Sequence, residues 1–341
     1  MTRLKSGIFL GAAILLLGLF AAGDAKAAFR IIITELETPL VPNSVIDLAD
    51  RLGYYKRAGV EIELIRVQQT PSAVAALRSG QGDMANIGFD TALQLIARDQ
   101  MKLKGVISPD KALPFIIAAR KGITQPKQLE GKSFAVSRVG AVDYSLSRLV
   151  LAKLGVDTDK LDYLAVGQPS VRATSLVSGK VDATSVSIGI WTSIPDRSAL
   201  TMLTDQASFY KGAPLISKLN VVTEEVAKSK AKEIRAVVRG IILASRAFAA
   251  DSKLWVDAMA KARPDMARPT LEELARAYKA SWDVNGGLNL AEAKFTTETQ
   301  YDGPDFKDLK RVEPNDWIDT AFIDAVLKED GVAPGLDPTG R

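Results

Sequence analysis

Ser79-Gly80-Gln81-Gly82-Asp83-Met84-Ala85-Asn86-Ile87-Gly88 and Ser178-Gly179-Lys180-Val181-Asp182-Ala183-Thr184-Ser185-Val186-Ser187 are one pattern written twice, with Ser, Gly and Asp in register at an offset of 99 residues. Each copy follows a short helix-like run opened by Pro-Ser, at Pro71-Ser72 and Pro169-Ser170. In both, Ser-Gly ends the helix, Asp starts a turn, and a short uncharged strand follows. A helix feeding a strand is the second half of a βαβ crossover, the unit of a parallel sheet. Two such units a domain's width apart predict two α/β lobes facing one cleft, a geometry suited to closing on a small ligand.

Outward from these units the pattern is regular. Residues 29–34 read as the first strand, followed by a polar turn over 35–42 and a helix capped by Asn43 or Ser44 and stopped by Gly53. Residues 59–67 alternate like a strand, Thr70 caps a helix with Pro71 at its first position, and 83–87 is the next strand. Leu113 to Ala119 reads as an edge strand of the first lobe. A second strand–helix–strand set covers 132–136, 141–154, 162–166, 171–178 and 181–186, and 215–222 reads as a return strand. From Glu224 the chain is mainly helical. A strand–helix set of about 85 residues leaves one face of its sheet bare, so the tail is expected to cover it. That predicts a discontinuous first lobe, 28–117 plus 218–341, a second lobe over 118–217, and a hinge of two chain crossings.

The first 27 residues have the form of an export signal: Arg3 and Lys5, an apolar run from Gly7 to Ala22, and Ala25-Lys26-Ala27 as a cleavage site. The run is short for a membrane span of about 20 residues. Cleavage after Ala27 into a periplasm is therefore expected. Arg3, Lys5 and Lys26 leave with Asp24, so the net charge falls from +4 to +2. No basic run is interleaved with aromatics, and no nucleic-acid partner is expected. The chain has no Cys and no His. That excludes thiolate nucleophiles, disulfides, Ser-His-Asp triads and the commonest zinc ligand. No cofactor or metal is expected, and catalysis is not favoured.

Four stretches, spanning most of the chain, resemble the periplasmic substrate-binding proteins of ABC importers, in the branch that takes nitrate, aliphatic sulfonates, taurine and pyrimidine precursors. They are Gly53-Tyr54-Tyr55-Lys56-Arg57-Ala58-Gly59-Val60, Ala76-Leu77-Arg78-Ser79-Gly80-Gln81-Gly82-Asp83, Leu129-Glu130-Gly131-Lys132-Ser133-Phe134-Ala135-Val136 and Trp317-Ile318-Asp319-Thr320-Ala321-Phe322. The resemblance implies a type II periplasmic binding fold, each lobe a mostly parallel sheet flanked by helices. It also implies capture of a small solute and delivery to a membrane permease, by a monomer. Sulfonate and taurine members often carry aromatic and acidic residues after the second Asp-Ala; here the run is Thr184-Ser185-Val186-Ser187-Ile188-Gly189. An exported enzyme on the same fold and a ligand sensor docking on a receptor are the competing readings.

Ligands of open α/β sheets bind at the carboxyl ends of the strands. That rule nominates Glu35, Thr38 and Asn43 in the first turn, Gln69 and Thr70 in the second, and Phe89, Asp90 and Thr91 after the repeated motif. From the second lobe it nominates Arg138, Gly140, Ala141, Ser185, Ser187 and Tyr210. Helix starts at Asn43, Thr70, Thr91 and Ala141 offer unpaired N–H groups to an anion. Arg138 has a donor fork that fits carboxylate or sulfonate oxygens; otherwise it is a solvated loop residue. Ser185 and Ser187 are hydroxyl donors or small packing residues. Thr70 is a cap or a contact, and Phe89 stacks on a ligand or belongs to the core. Asp90 either faces a ligand donor or caps the helix from Thr91; Glu35 is a pocket acid or the partner of a surface base.

Overall fold

The computed structural model describes residues 27–35, 44–68, 70–109, 115–279, 281–303 and 305–334. The expected signal segment before Ala27, and Thr38, Asn43 and Gln69, lie outside them. In chain order the first part is β1 (Phe29–Ile33), α1 (Ser44–Arg51), α2 (Tyr54–Arg57), β2 (Ile62–Arg66), α3 (Thr70–Arg78), β3 (Met84–Gly88), α4 (Phe89–Ala97) and β4 (Leu103–Ile107). Then come β5 (Phe115–Arg120), β6 (Ser133–Val136), α5 (Val142–Lys153), β7 (Asp162–Ala165), α6 (Pro169–Val177), β8 (Ala183–Ser187), α7 (Ile188–Ser193), β9 (Leu200–Thr204) and α8 (Gln206–Gly212). The remainder is β10 (Lys218–Thr223), α9 (Glu224–Ser229), α10 (Ala231–Ala250), α11 (Ser252–Ala262), α12 (Arg268–Tyr278), α13 (Leu290–Tyr301), α14 (Pro314–Trp317) and α15 (Ala321–Asp330).

The strands form two five-stranded sheets of matching order, β2-β1-β3-β10-β4 and β7-β6-β8-β5-β9. In each, one strand runs antiparallel to its neighbours, β10 in the first and β5 in the second. The lobes are therefore α/β, mostly parallel and similarly wound. One expectation is corrected. The apolar run over 113–119 is not an edge strand of the first lobe: it is β5, inside the second sheet between β8 and β9, so a boundary at 117/118 falls within a strand. Its composition hides this, because Phe115-Ile116-Ile117-Ala118-Ala119 is apolar throughout and a strand buried on both faces reads alike in either sheet. The chain thus passes between the sheets twice, once between β4 and β5 and again over 213–217.

The repeated Asp has the same task in both lobes. Asp83 donates its N–H to Arg30 O (2.9 Å) and accepts the N–H of Arg30 on Oδ2 (2.9 Å), so it seats the head of central strand β1. Arg30 Nη2 and Lys230 Nζ complete its shell at 2.9 and 2.8 Å. In the second lobe Asp182 accepts the N–H and the hydroxyl of Ser133, at the head of β6, at 3.0 and 2.8 Å, and pairs with Arg120. Further along the first sheet, the buried Asn86 and Asn220 face each other across β3 and β10 and bond at 2.8 Å, which fixes that register.

The tail covers the first sheet as expected: the buried faces of α10, α11 and α12 join β1, β3 and β10 in one apolar cluster. Tyr55 is part of that cluster. Its ring fits against Gly240 of α10, where a Cβ would come within 2.6 Å, and its hydroxyl donates to Ile46 O.

Burial pushes the Asp83 carboxyl up, but hydrogen bonds from Arg30 and Lys230 outweigh it and hold it below the usual range. A carboxyl lowered on folding contributes its full stability above its unfolded value of about 3.9 and loses it as pH falls through the folded value. Wild type should therefore lose stability below about pH 4, and Asp83→Asn should flatten that limb. At neutral pH Asp83→Asn should cost about 2–3 kcal/mol by denaturant melts, the scale of a charge-assisted bond lost in a buried site. The more exposed Asp182→Asn should cost less.

Candidate functional site

A cleft of about 750 Å³ opens between the lobes. Its walls are the loops at the carboxyl ends of β3, β6 and β7, the first turns of α3 to α6, the second crossing, and α13 from the tail. This is the position the topology dictates for a ligand in an open α/β sheet.

The second-lobe wall is held by one buried cation. Arg172 of α6 is 1% exposed. Its guanidinium donates to Gly167 O (2.6 Å), Thr184 Oγ1 (3.2 Å) and Ser185 O (3.0 Å), and lies 3.5 Å from Asp143 Oδ2. Asp143, in the first turn of α5, in turn accepts the N–H of Ser137 (2.8 Å) and its hydroxyl. Arg172 therefore ties the β6–α5 loop, the β7–α6 loop and the end of β8 into one unit. Burial lowers its affinity for the proton, and Asp143 opposes that.

The first-lobe and hinge wall is held by backbone contacts. Phe89 N donates to Ser217 O (3.0 Å), which ties the start of α4 to the second crossing. Ser108, on the first crossing, donates its hydroxyl to Lys218 O (2.8 Å), so the two crossings are joined at their first-lobe end. Lys218 reaches Thr34 Oγ1 at 3.1 Å. Thr296 of α13 accepts the N–H of Ile216 (3.0 Å) and donates to Glu292 O.

The cleft brings together Thr70, Phe89, Asp90, Thr91, Arg138 and Ala141 of the nominated residues. Phe89 borders it, but its ring is 1% exposed and packs on Trp317 at 4.9 Å, so the core reading holds for most of its surface. Asp90 is not the cap of its helix. That helix begins two residues earlier, at Phe89 with Gly88 in the N-cap position, and Asp90 is an exposed first-turn residue whose carboxylate bends back over Gly88. Arg138 is exposed on its loop.

The other described nominees lie elsewhere. Glu35 is 5% exposed and 3.8 Å from Arg66, which also pairs with Asp47, so it belongs to a charge cluster behind the wall. Gly140 shapes the loop with φ 80° without lining the cleft. Ser185 is buried within β8, and the Ser187 hydroxyl accepts the N–H of Ile190 as the cap of α7. Tyr210 donates to Glu292 of α13 in a buried contact. Strand alternation buries Ser185 and a helix start takes Ser187, whereas Glu35 and Tyr210 are taken by partners distant in sequence.

Sequence reasoning missed Phe115, Gly167, Gln168, Arg172, Lys218 and Gln300. Gln168 had a signal: the 99-residue offset carries Gln69 onto it. Arg172 falls on Ala73 by the same offset, so the repeat conceals it. Gln300 comes from the tail, which no βαβ argument places.

Among the described residues no hydrogen bond engages the side chains of Arg138, Gln168 or Gln300. No side chain caps the starts of α4, α5 or α6. The cleft therefore separates committed groups, Arg172 and Asp143, from uncommitted donors. Arg172→Met should strand Asp143 and two carbonyls and cost about 3–5 kcal/mol, as when one partner of a buried ion pair is removed. Arg138→Ala should change stability by less than about 0.5 kcal/mol. Denaturant melts of the two variants check the division.

No curated protein sequence matches the chain. The fold matches the aliphatic sulphonate binding protein SsuA from Escherichia coli at TM-score 0.65 and 16% identity, over 86% of this chain and 92% of that one. It matches the alkanesulfonate-binding SsuA from Xanthomonas axonopodis pv. citri, bound to MOPS, at TM-score 0.60 and 17% identity, over 86% and 98%. A Cys-to-Ser variant of DszB with biphenyl-2-sulfinic acid matches at TM-score 0.61 and 12% identity, over 89% and 99%. Across residues 44–251 the sequence fits the profile of the NMT1/THI5-like family, and with more than half its length so matched the chain belongs to that family.

Proposed function

We propose that this protein is the exported solute-binding component of an ABC-type importer. It captures a small organic anion between its lobes and hands it to a membrane permease. The observation that carries this is the cleft itself: the uncommitted donors of Arg138, Gln168 and Gln300 face the same space as three helix starts without side-chain caps. Unpaired first-turn N–H groups and a guanidinium fork favour oxyanions. Asp90 on the same wall repels a bare anion, so the ligand carries an ammonium or hydroxyl donor as well. The sulfonate binders of the same fold support the class of ligand.

The cleft binds without turning its ligand over. It holds no histidine or thiol, since the chain has neither, and its one buried cation is spent on backbone carbonyls and Asp143. DszB, of similar fold, was studied with a cysteine replaced; this chain has no cysteine to fill such a place. Export through the segment ending at Ala27 places the protein in the periplasm. Among the described residues no helix is long and apolar enough to cross a membrane.

A thermal-shift screen over sulfonates, nitrate, carboxylates, amino acids and pyrimidines tests the reading. A ligand at 100 times its Kd adds about 2.7 kcal/mol. Arg138→Ala should weaken the hit by more than about 1.5 kcal/mol in calorimetry, and Asp90→Asn should alter ligand preference. A hit consumed on incubation, followed by NMR, would sink the binding-only reading; a hit indifferent to Arg138→Ala would remove that residue from the site.

A further inference from the structure

Besides the two chain crossings and the contact of α13 with Tyr210, the lobes are joined at a further place. Helix α7 leaves β8 at the cleft end of the second sheet, as α4 leaves β3 in the first. The start of α4 lines the cleft, whereas α7 packs on α12 of the tail. Its buried face, Ile188, Trp191 and Ile194, belongs to the same apolar cluster as Leu271 and Leu274 of α12. The core on the opposite face of the second sheet is separate. Arg197, just past α7, lies with its guanidinium 5.5 Å from the Trp191 ring and donates from Nη1 and Nη2 to the two carboxylate oxygens of Glu273 in α12, at 2.5 and 3.0 Å.

A fork-to-fork pair needs both partners in one orientation. The apolar face beneath it, with Trp191 only 7% exposed, would meet water if the lobes parted here. We infer that the α7–α12 seam is a latch: lobe separation for ligand access breaks the Arg197–Glu273 pair and bares Trp191. The alternative is a pivot, a contact kept intact while the lobes rotate about it.

The absence of native cysteine makes the test clean. Glu63→Cys on β2 and Asp162→Cys on β7, both exposed, carry spin labels on corresponding edges of the two sheets. The interlobe distance distribution is measured by pulsed electron resonance on ligand-free protein. With Glu273→Gln added it should shift to longer distance and broaden. The swap Arg197→Glu with Glu273→Arg should restore it. Raising salt from 0.01 to 1 M, which shortens the screening length about tenfold, should move wild type the same way, because both side chains are partly exposed. Trp191→Phe, which keeps an apolar ring, should shift less than Glu273→Gln. A distribution unchanged by Glu273→Gln and by salt overturns the latch and makes the seam a pivot. Because no ligand is used, that result leaves the binding function untouched.

Discussion

A single carboxylate that accepts an N–H at the head of an inner strand organises each half of this molecule. Asp83 and Asp182 close a strand crossover by exchanging hydrogen bonds with Arg30 and Ser133. The exchange sets how β3 lies on β1 and how β8 lies on β6. Strand register in turn fixes which residues emerge at the far end of each sheet, where the cleft is. The positions of Gly88 and Phe89, and of Ser187 and Ile188, therefore follow from contacts made five or six residues earlier, at the opposite end of the strands.

On this shared frame the two lobes have diverged in where they place a guanidinium–carboxylate pair. In the first lobe the cation comes from the end of a strand: Arg66 pairs with Asp47 in α1 and lies near Glu35. In the second it comes from a helix: Arg172 of α6 pairs with Asp143 in α5 and also binds three oxygens of the adjoining loop and strand. Both arrangements set a helix carboxylate against a buried or half-buried guanidinium, but only Asp143 and Arg172 line the cleft. The one in the second lobe immobilises the loops that carry Ser137 and Gln168. A rigid wall lowers the ordering cost of binding, and it leaves the exposed Arg138 as the adaptable member.

The tail does more than cover the first sheet. Helix α13 lends Thr296 and Gln300 to the cleft and clasps the second lobe through Glu292 and Tyr210. Helix α12 meets the second lobe again at α7. A two-lobed protein made only of βαβ units would have two covalent crossings between its halves. Here the C-terminal helices add noncovalent ties on the same pair of bodies, and these set how freely the lobes move.

The sequence alone determined the lobes, the mostly parallel sheets, the return strand and the helical cover, because each rests on local rules: periodicity, caps, breakers and a repeat at constant offset. It also located the loops over 70, 88–91 and 137–142, because strand ends are local features. It misplaced β5, whose apolar run carries no mark of the sheet that receives it. It could not tell that Ser187 is spent on a helix cap, Tyr210 on Glu292, or Glu35 beside Arg66. It did not find Arg172, Lys218 or Gln300. The Ser187 cap is local, bonding Ile190 three residues on, but Glu35, Tyr210 and Arg172 meet partners up to 82 residues away, and only the tertiary structure decided them. A side chain's chemistry is legible in the chain, but whether its hydrogen bonds are already committed is a property of the packing around it.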